Sequence, residues 1–288
     1  MRTKAVATNT RGRKSGWTPE RIVVHSLLLV FVALAIGPIL LVILNSFKTT
    51  PAIFMGPFRL PSERTFSVDG YIRVFTRGNI AANYANSLIV TVATVVLTVV
   101  MSALAAFALV EYRVKTAPIL SGLFVVGIML PIRLGTVPIL KIMIAWRLVD
   151  TLTSLILVYT AMSIPIAVTL MVAYFRTVPT ELKEAARIDG AGEFRTFLIA
   201  LPIVRPGLAA IATLTMLPVW NDLWFPLILA PSRQNQTVTL GVQQFVGQFM
   251  NDYPALLAAL SLGIVPLVVL YVIFSRQFIR GLSQGAVK

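Results

Sequence analysis

Pro179 to Pro206, PTELKEAARIDGAGEFRTFLIALPIVRP, carries Glu181, Lys183, Glu184, Arg187, Asp189, Glu193, Arg195 and Arg205, with Arg176 just upstream. The chain on either side is mostly hydrocarbon. Apolar runs of the length that crosses a bilayer precede and follow it, so the stretch reads as a polar platform held at a membrane face. Within it, Thr180 can cap a short helix, Glu181 places an acid where the helix dipole favours one, and Gly190 suits a left-handed stop. The capping box is incomplete, because Lys183 stands three residues after Thr180. A helix of about ten residues is roughly 15 Å long and marginal alone in water, so it needs a partner surface. Leu182, Ala185, Ala186 and Asp189 share one side at helical spacing, flanked by Glu184 and Arg187. Phe194, Phe197, Leu198 and Leu201 then form an i, i+3, i+4, i+7 stripe expected to hold the platform against the bundle.

Composition sets the surroundings. Of 288 residues, 57% are hydrophobic and 12% charged, with a mean hydropathy of +0.84. Soluble domains run near 45–50% apolar and about 25% charged, so this is an integral membrane protein. There is no cysteine, which excludes disulfides, thiol nucleophiles and Cys-based metal sites. The single His25, near the start of the first apolar run, reads as an interfacial packing residue. The net charge of +14 follows from basic residues flanking membrane spans. No basic patch interleaved with aromatics suggests nucleic acid.

Six apolar runs are expected to span, near 22–44, 86–110, 118–140, 152–175, 206–230 and 254–274. Residues 1–21 form a polar, basic N-terminal tail and 279–288 a C-terminal tail. The run from Ile22 is too long for a signal-peptide core and no small-x-small site follows it, so it reads as an uncleaved span. Six spans put both termini on one face, with sixteen basic residues on that side and nine on the other. Both termini are therefore expected to be cytoplasmic. Pro38, Pro131, Pro165, Pro218 with Pro226, and Pro266 lie inside five of the runs. They predict either a kinked bundle lining a path or the ordinary tolerance of membrane helices for proline. The second run lacks proline and carries Thr91, Ala93, Thr94, Ser102, Ala103 and Ala105, which suits close helix packing. No internal repeat supports a self-contained inverted-repeat transporter.

Asp222, with Asn221 beside it, lies within the fifth run, where an ionisable group is costly. Either residue caps a helix restarting after Pro218, or both face substrate in a central cavity. Trp220, Trp224 and Phe225 either stack on a sugar face or mark the outer interface. Arg133 and Lys141 either bind an anionic substrate group or snorkel outward. No G-x-x-x-x-G-K-[ST] run exists to cradle a nucleotide, so any ATP-derived energy must come from another chain.

Glu184-Ala185-Ala186-Arg187-Ile188-Asp189-Gly190-Ala191, followed by Leu201-Pro202 and Pro206, resembles the EAA loop of ABC-importer permeases in its carbohydrate-importer form. Trp220-Asn221-Asp222-Leu223 with Phe225-Pro226-Leu227 resembles the fifth-span motif of sugar permeases, and Gly281 to Lys288 their C-terminal tail. The resemblance covers nearly the whole chain, most weakly before Ile22 and across 45–85, and it points to the maltose-type (CUT1-like) permease subunits. It implies an all-α membrane protein of the type I importer permease fold, with residues 22–278 as the permease domain and 179–206 as its coupling loop. Glu184, Ala185, Ala186, Arg187, Asp189 and Gly190 would dock in a groove of a cytoplasmic ATPase dimer that binds the ATP. A second homologous permease and an extracytoplasmic solute-binding protein would complete the assembly, with membrane lipid around it. Asn221, Asp222, Trp220, Trp224 and Arg133 are the substrate-path candidates, and Arg133, just after Pro131, departs from the commonest family pattern and leaves an acidic sugar derivative open. An ion-driven secondary transporter or a membrane enzyme are the alternatives. Against them stand a single clear buried acid, Asp222, and outer-loop acids Glu63 and Asp69 without a paired acid–base partner.

Overall fold

The computed structural model describes residues 19–112, 116–246, 252–266 and 268–269. Among these residues the secondary structure is helical, apart from an isolated bridge between Lys48 and Phe66. The first helix, α1 (Pro19–Ser46), is 28 residues long, about 42 Å, and exceeds a hydrocarbon core of roughly 30 Å. It is apolar all round and buries only Asn45 and Ser46, whose hydroxyl meets the Tyr71 hydroxyl at 2.8 Å. Two short helices, α2 (Thr50–Met55) and α3 (Asp69–Arg77), follow on the polar surface.

The bundle is built on α4 (Ile80–Glu111) and α7 (Leu152–Phe175), which pack along their lengths. The buried stripe of α4 is small or hydroxylated: Asn83, Ser87, Thr91, Thr94, Thr98 and Ser102 recur every three or four residues. Such side chains let membrane helices approach closely where apolar burial provides no net drive.

The third apolar run is not one helix. It breaks at Leu130–Pro131 into α5 (Ala117–Met129) and, after a 3-10 turn over Ile132–Gly135, α6 (Thr136–Ala145), bent by 89°. The run expected to span near 118–140 is therefore a bent pair of helices. Proline disfavours helical backbone in the residue before it, and Leu130 is extended, with ψ 124°. By contrast, Pro38, Pro165 and Pro218 stand inside helices that continue past them. Pro165 packs into the space left by Gly127 of α5.

After α7 come the platform helices α8 (Thr180–Ile188) and α9 (Glu193–Ala200), then α10 (Arg205–Asn221), bent 80° from α9. The fifth run breaks at Asp222–Leu223, four residues beyond Pro218, and restarts as α11 (Trp224–Leu229). The short α12 (Val238–Val242) and α13 (Tyr253–Pro266) follow. Among the described residues, three helices are long and apolar enough to cross a membrane, or up to five if each bent pair counts as one span. The N-terminal tail, the end of the 254–274 run and the 281–288 motif lie outside the described residues.

Among the described residues, three apolar clusters follow one another along the bundle. Next to the platform, the rings of Phe107, Phe175 and Phe197 meet with centroids 5.4–6.2 Å apart. A middle cluster joins Val90, Leu155, Tyr159, Val219 and Phe225. The far end gathers Val74, Ile80, Phe245, Ala255 and Ala258. There Asn86 donates to the Gln234 and Gln236 carbonyls at 2.8 and 3.0 Å. The Asp150 carboxylate accepts from the Ser232 amide at 3.0 Å. Burial opposes its ionisation, but the bonds from Ser232 and Asn235 hold its pKa below the ordinary value.

Candidate functional site

The platform stands at the end of the bundle where α4 finishes. Pro179 occupies the position before α8, with φ −57° and ψ 134°, and no side chain caps the helix. Thr180 is the first helical residue instead of its cap, because the fixed φ of proline already directs the chain into the helix. The other end closes with two bonds: the Ala191 amide donates to the Ala186 carbonyl at 2.9 Å, and the Gly190 amide to that of Arg187 at 3.0 Å. Gly190 has φ +79°, and this Schellman closure requires that left-handed residue. A Cβ there would meet nothing within 4 Å, so only the backbone conformation opposes substitution.

What holds α8 is a carboxylate absent from the sequence-based candidates. Glu111, the last residue of α4, has a side chain only 8% exposed and receives Lys183 Nζ at 2.6 Å on one oxygen. Its other oxygen receives the Arg187 guanidinium at 2.6 Å. Arg187 also donates through Nε to Glu193 at 3.1 Å, which ties α8 to α9. These hydrogen bonds, donated to Glu193 first and then to Glu111, push the Arg187 pKa further above its ordinary value. A signal for Glu111 existed in the sequence: an acid at a helix C-terminus opposes the macrodipole and therefore needs a cation nearby.

Glu111 decides the rotation of α8, and of the four residues expected to share one side it turns only Ala186 inward. Lys183 and Ala186 are buried and Arg187 is half-buried toward the bundle, whereas Leu182, Ala185 and Asp189 point outward with Glu181, Glu184 and Ile188. Ile188 is 86% exposed. The α9 stripe is corrected too. Thr196, Phe197 and Ala200 face inward, with Leu201 partly buried, while Phe194 and Leu198 face outward. The outer surface is thus an apolar strip of Leu182, Ala185, Ile188 and Phe194, edged by Glu181, Glu184 and Asp189.

A second polar constellation forms where the two broken runs meet. The Asp222 Oδ2 accepts from the Tyr159 hydroxyl at 2.8 Å and from the Phe225 amide at 3.0 Å. It therefore caps α11 and anchors it to α7 with one oxygen. The restart follows Asp222 itself, not Pro218. Trp224 donates from Nε1 to Thr136 Oγ1 at 3.0 Å, and the Arg133 guanidinium lies 5.7 Å from the centre of its ring. That is cation–π distance. Arg133 and Trp224 are thus brought together on an exposed surface beside both breaks. Asn221 is exposed and donates to the Leu217 carbonyl of its own helix. Trp220 and Phe225 are not at an outer interface: both are buried, Trp220 against Tyr84 and Phe225 against Tyr159.

A bundle of long apolar helices with a short polar helix clamped to one end is the architecture of a membrane-embedded subunit. Residues 99–284 match the family described as "Binding-protein-dependent transport system inner membrane component", and the chain belongs to that family. It is 32% identical over 264 residues to the diacetylchitobiose uptake system permease protein NgcG of Streptomyces coelicolor, covering 91% of this chain and 87% of the relative. It is 35% identical over 258 residues to the arabinooligosaccharides transport system permease protein AraQ of Halalkalibacterium halodurans, covering 88% and 92%. In fold it is similar to a chain of a bacterial ABC transporter that imports the acidic polysaccharide alginate. That match has a TM-score of 0.79 at 21% identity and covers 91% of this chain and 99% of the other.

Proposed function

We propose that the chain is the multi-pass permease subunit of a binding-protein-dependent ABC importer for a sugar or oligosaccharide. It is a transport component, and a separate ATPase supplies the energy. One observation carries the mechanism: a nine-residue helix stands off the bundle with an apolar, acid-edged outer face, and buried ion pairs to Glu111 hold its inner face. A surface groove with basic residues complements that face. Glu184 meets those cations, Leu182, Ala185 and Ile188 fill the groove, Asp189 adds an acid at its end, and Gly190 turns the chain out of it. Ala186 and Arg187 act on the inner side, transmitting displacement of α8 to α4. Closure of the ATPase dimer then shifts the bundle between states that bind delivered substrate differently.

The path runs through the broken helices, where irregular backbone is tolerated when it lines a cavity. Trp224 offers an aromatic face and Arg133 a cation there, Asp222 fixes α11, Trp220 packs behind, and Asn221 offers an exposed amide. A second, homologous permease faces this surface. The solute-binding protein docks on the face opposite α8, and both termini lie with α8 on the cytoplasmic side.

In the reconstituted complex, Glu184→Lys is expected to lower substrate-stimulated ATP hydrolysis at least about tenfold, because like charge across an interface costs several kcal/mol. Gly190→Leu should lower it less, since a left-handed residue with a Cβ costs about 1–2 kcal/mol. Unchanged stimulation in both variants, with normal membrane assembly, would remove the docking role.

A further inference from the structure

At the end of α1 away from the platform, two cavities lie side by side around the 56–66 loop. One is an open groove of about 770 Å³ between Leu40, Leu44 and Phe47 on one wall and Phe58, Leu60 and Phe66 on the other. The other, about 640 Å³, is of mixed character, with Arg59, Ser62, Arg64 and Thr65 beside Pro51, Ala52 and Met55. They share Leu60, and no carboxylate lines either. Lys48 borders this second cavity but has no proton to spare. Its ammonium donates to Asn45 Oδ1 at 2.9 Å and to the Gly56 and Pro57 carbonyls at 3.0 and 3.2 Å, which holds the loop in shape. Arg59 and Arg64 are exposed and form no ion pair among the described residues.

The groove residues occupy the last ten or so positions of α1, about 15 Å of helix, or the depth of one leaflet. A hydrocarbon slot at leaflet depth opens beside two unpaired guanidinium groups at the polar boundary. We propose that this pair of cavities binds one anionic phospholipid of the leaflet opposite the docking platform. An acyl chain lies between α1 and the loop, and the phosphate meets Arg59 and Arg64. Guanidinium groups match phosphate oxygens bidentately, and basic pockets at a membrane boundary select anionic headgroups. A free anion would leave the slot unused, as would an acidic protein surface; a phospholipid carries both halves in one molecule. The bound lipid fills the gap between the end of α1 and the loop, where α1 has few packing partners in its own chain.

The test is native mass spectrometry of the full importer complex, delipidated and then titrated with phosphatidylglycerol or phosphatidylethanolamine. Arg59→Gln with Arg64→Gln is expected to reduce phosphatidylglycerol retention about 25-fold, since each surface basic residue contributes about a factor of five. Phosphatidylethanolamine retention should change less than about twofold. Leu44→Trp, which fills the slot, should reduce phosphatidylglycerol retention while both arginines remain. Retention unchanged in the arginine double variant overturns the proposal. Displacement by inorganic phosphate with Leu44→Trp silent would leave only a free-anion site. Weaker association of the solute-binding protein with lipid retention intact would make the cavity a protein-docking surface, and both of these results also overturn it.

Discussion

Glu111→Leu is expected to detach the platform from the bundle. The substitution leaves Lys183, whose side chain is 10% exposed, without a counter-charge. Breaking a buried ion pair by removing one partner costs about 3–5 kcal/mol, which is at least a hundredfold in an equilibrium constant. Arg187 keeps Glu193, but that contact ties α8 only to α9. A nine-residue helix is marginal without tertiary support. Amide hydrogen exchange over 180–190 should therefore accelerate, and substrate-stimulated ATP hydrolysis should fall with it. Because an ion pair can be replaced by apolar groups of similar volume at little cost, Glu111→Leu combined with Lys183→Met should regain much of both. Wild-type exchange and stimulation in the single variant would show that the clamp plays no part in holding α8.

The second large effect is at Asp222. Asp222→Ala removes the cap of α11 and orphans the hydroxyl of Tyr159, a residue only 3% exposed. A lost cap costs about 1 kcal/mol and an unsatisfied buried donor a further 1–3 kcal/mol. With α11 released, Trp224 loses its fixed relation to Thr136 and Arg133, so transport should fall at least about tenfold. In Asp222→Asn the amide oxygen can still accept from both Tyr159 and the Phe225 amide, and transport should stay within about threefold of wild type. If the asparagine variant is as damaged as the alanine variant, the charge itself acts in the path. Measuring uptake in vesicles containing the full complex distinguishes the two.

Membrane class, helical architecture and the position of the platform follow from local features. Apolar run length reports the bilayer, and Gly190 reports a left-handed stop whatever surrounds it. The motif at 184–191 was enough to indicate the family. For the spans expected over 118–140 and 206–230, proline signals a kink, but hydropathy is blind to direction and gives neither the size of the bend nor its exact place. Their composition stays apolar through Pro131 and through Asp222, while the backbone turns.

The facing of α8 was beyond local reading for a different reason. In a nine-residue helix as short and as charged as this, spacing groups residues onto sides but does not say which side faces the bundle, so its rotation depends on what it meets. What it meets is Glu111, 72 positions from Lys183 in the chain. The sequence by itself determined that a polar helix ending at Gly190 sits between two membrane runs, because length, charge and backbone preference are local properties. Which side of that helix is exposed depends on the packing around it. The tertiary structure likewise brought Arg133 to Trp224 and Asp222 to Tyr159, since pairings between distant residues depend on how the helices pack.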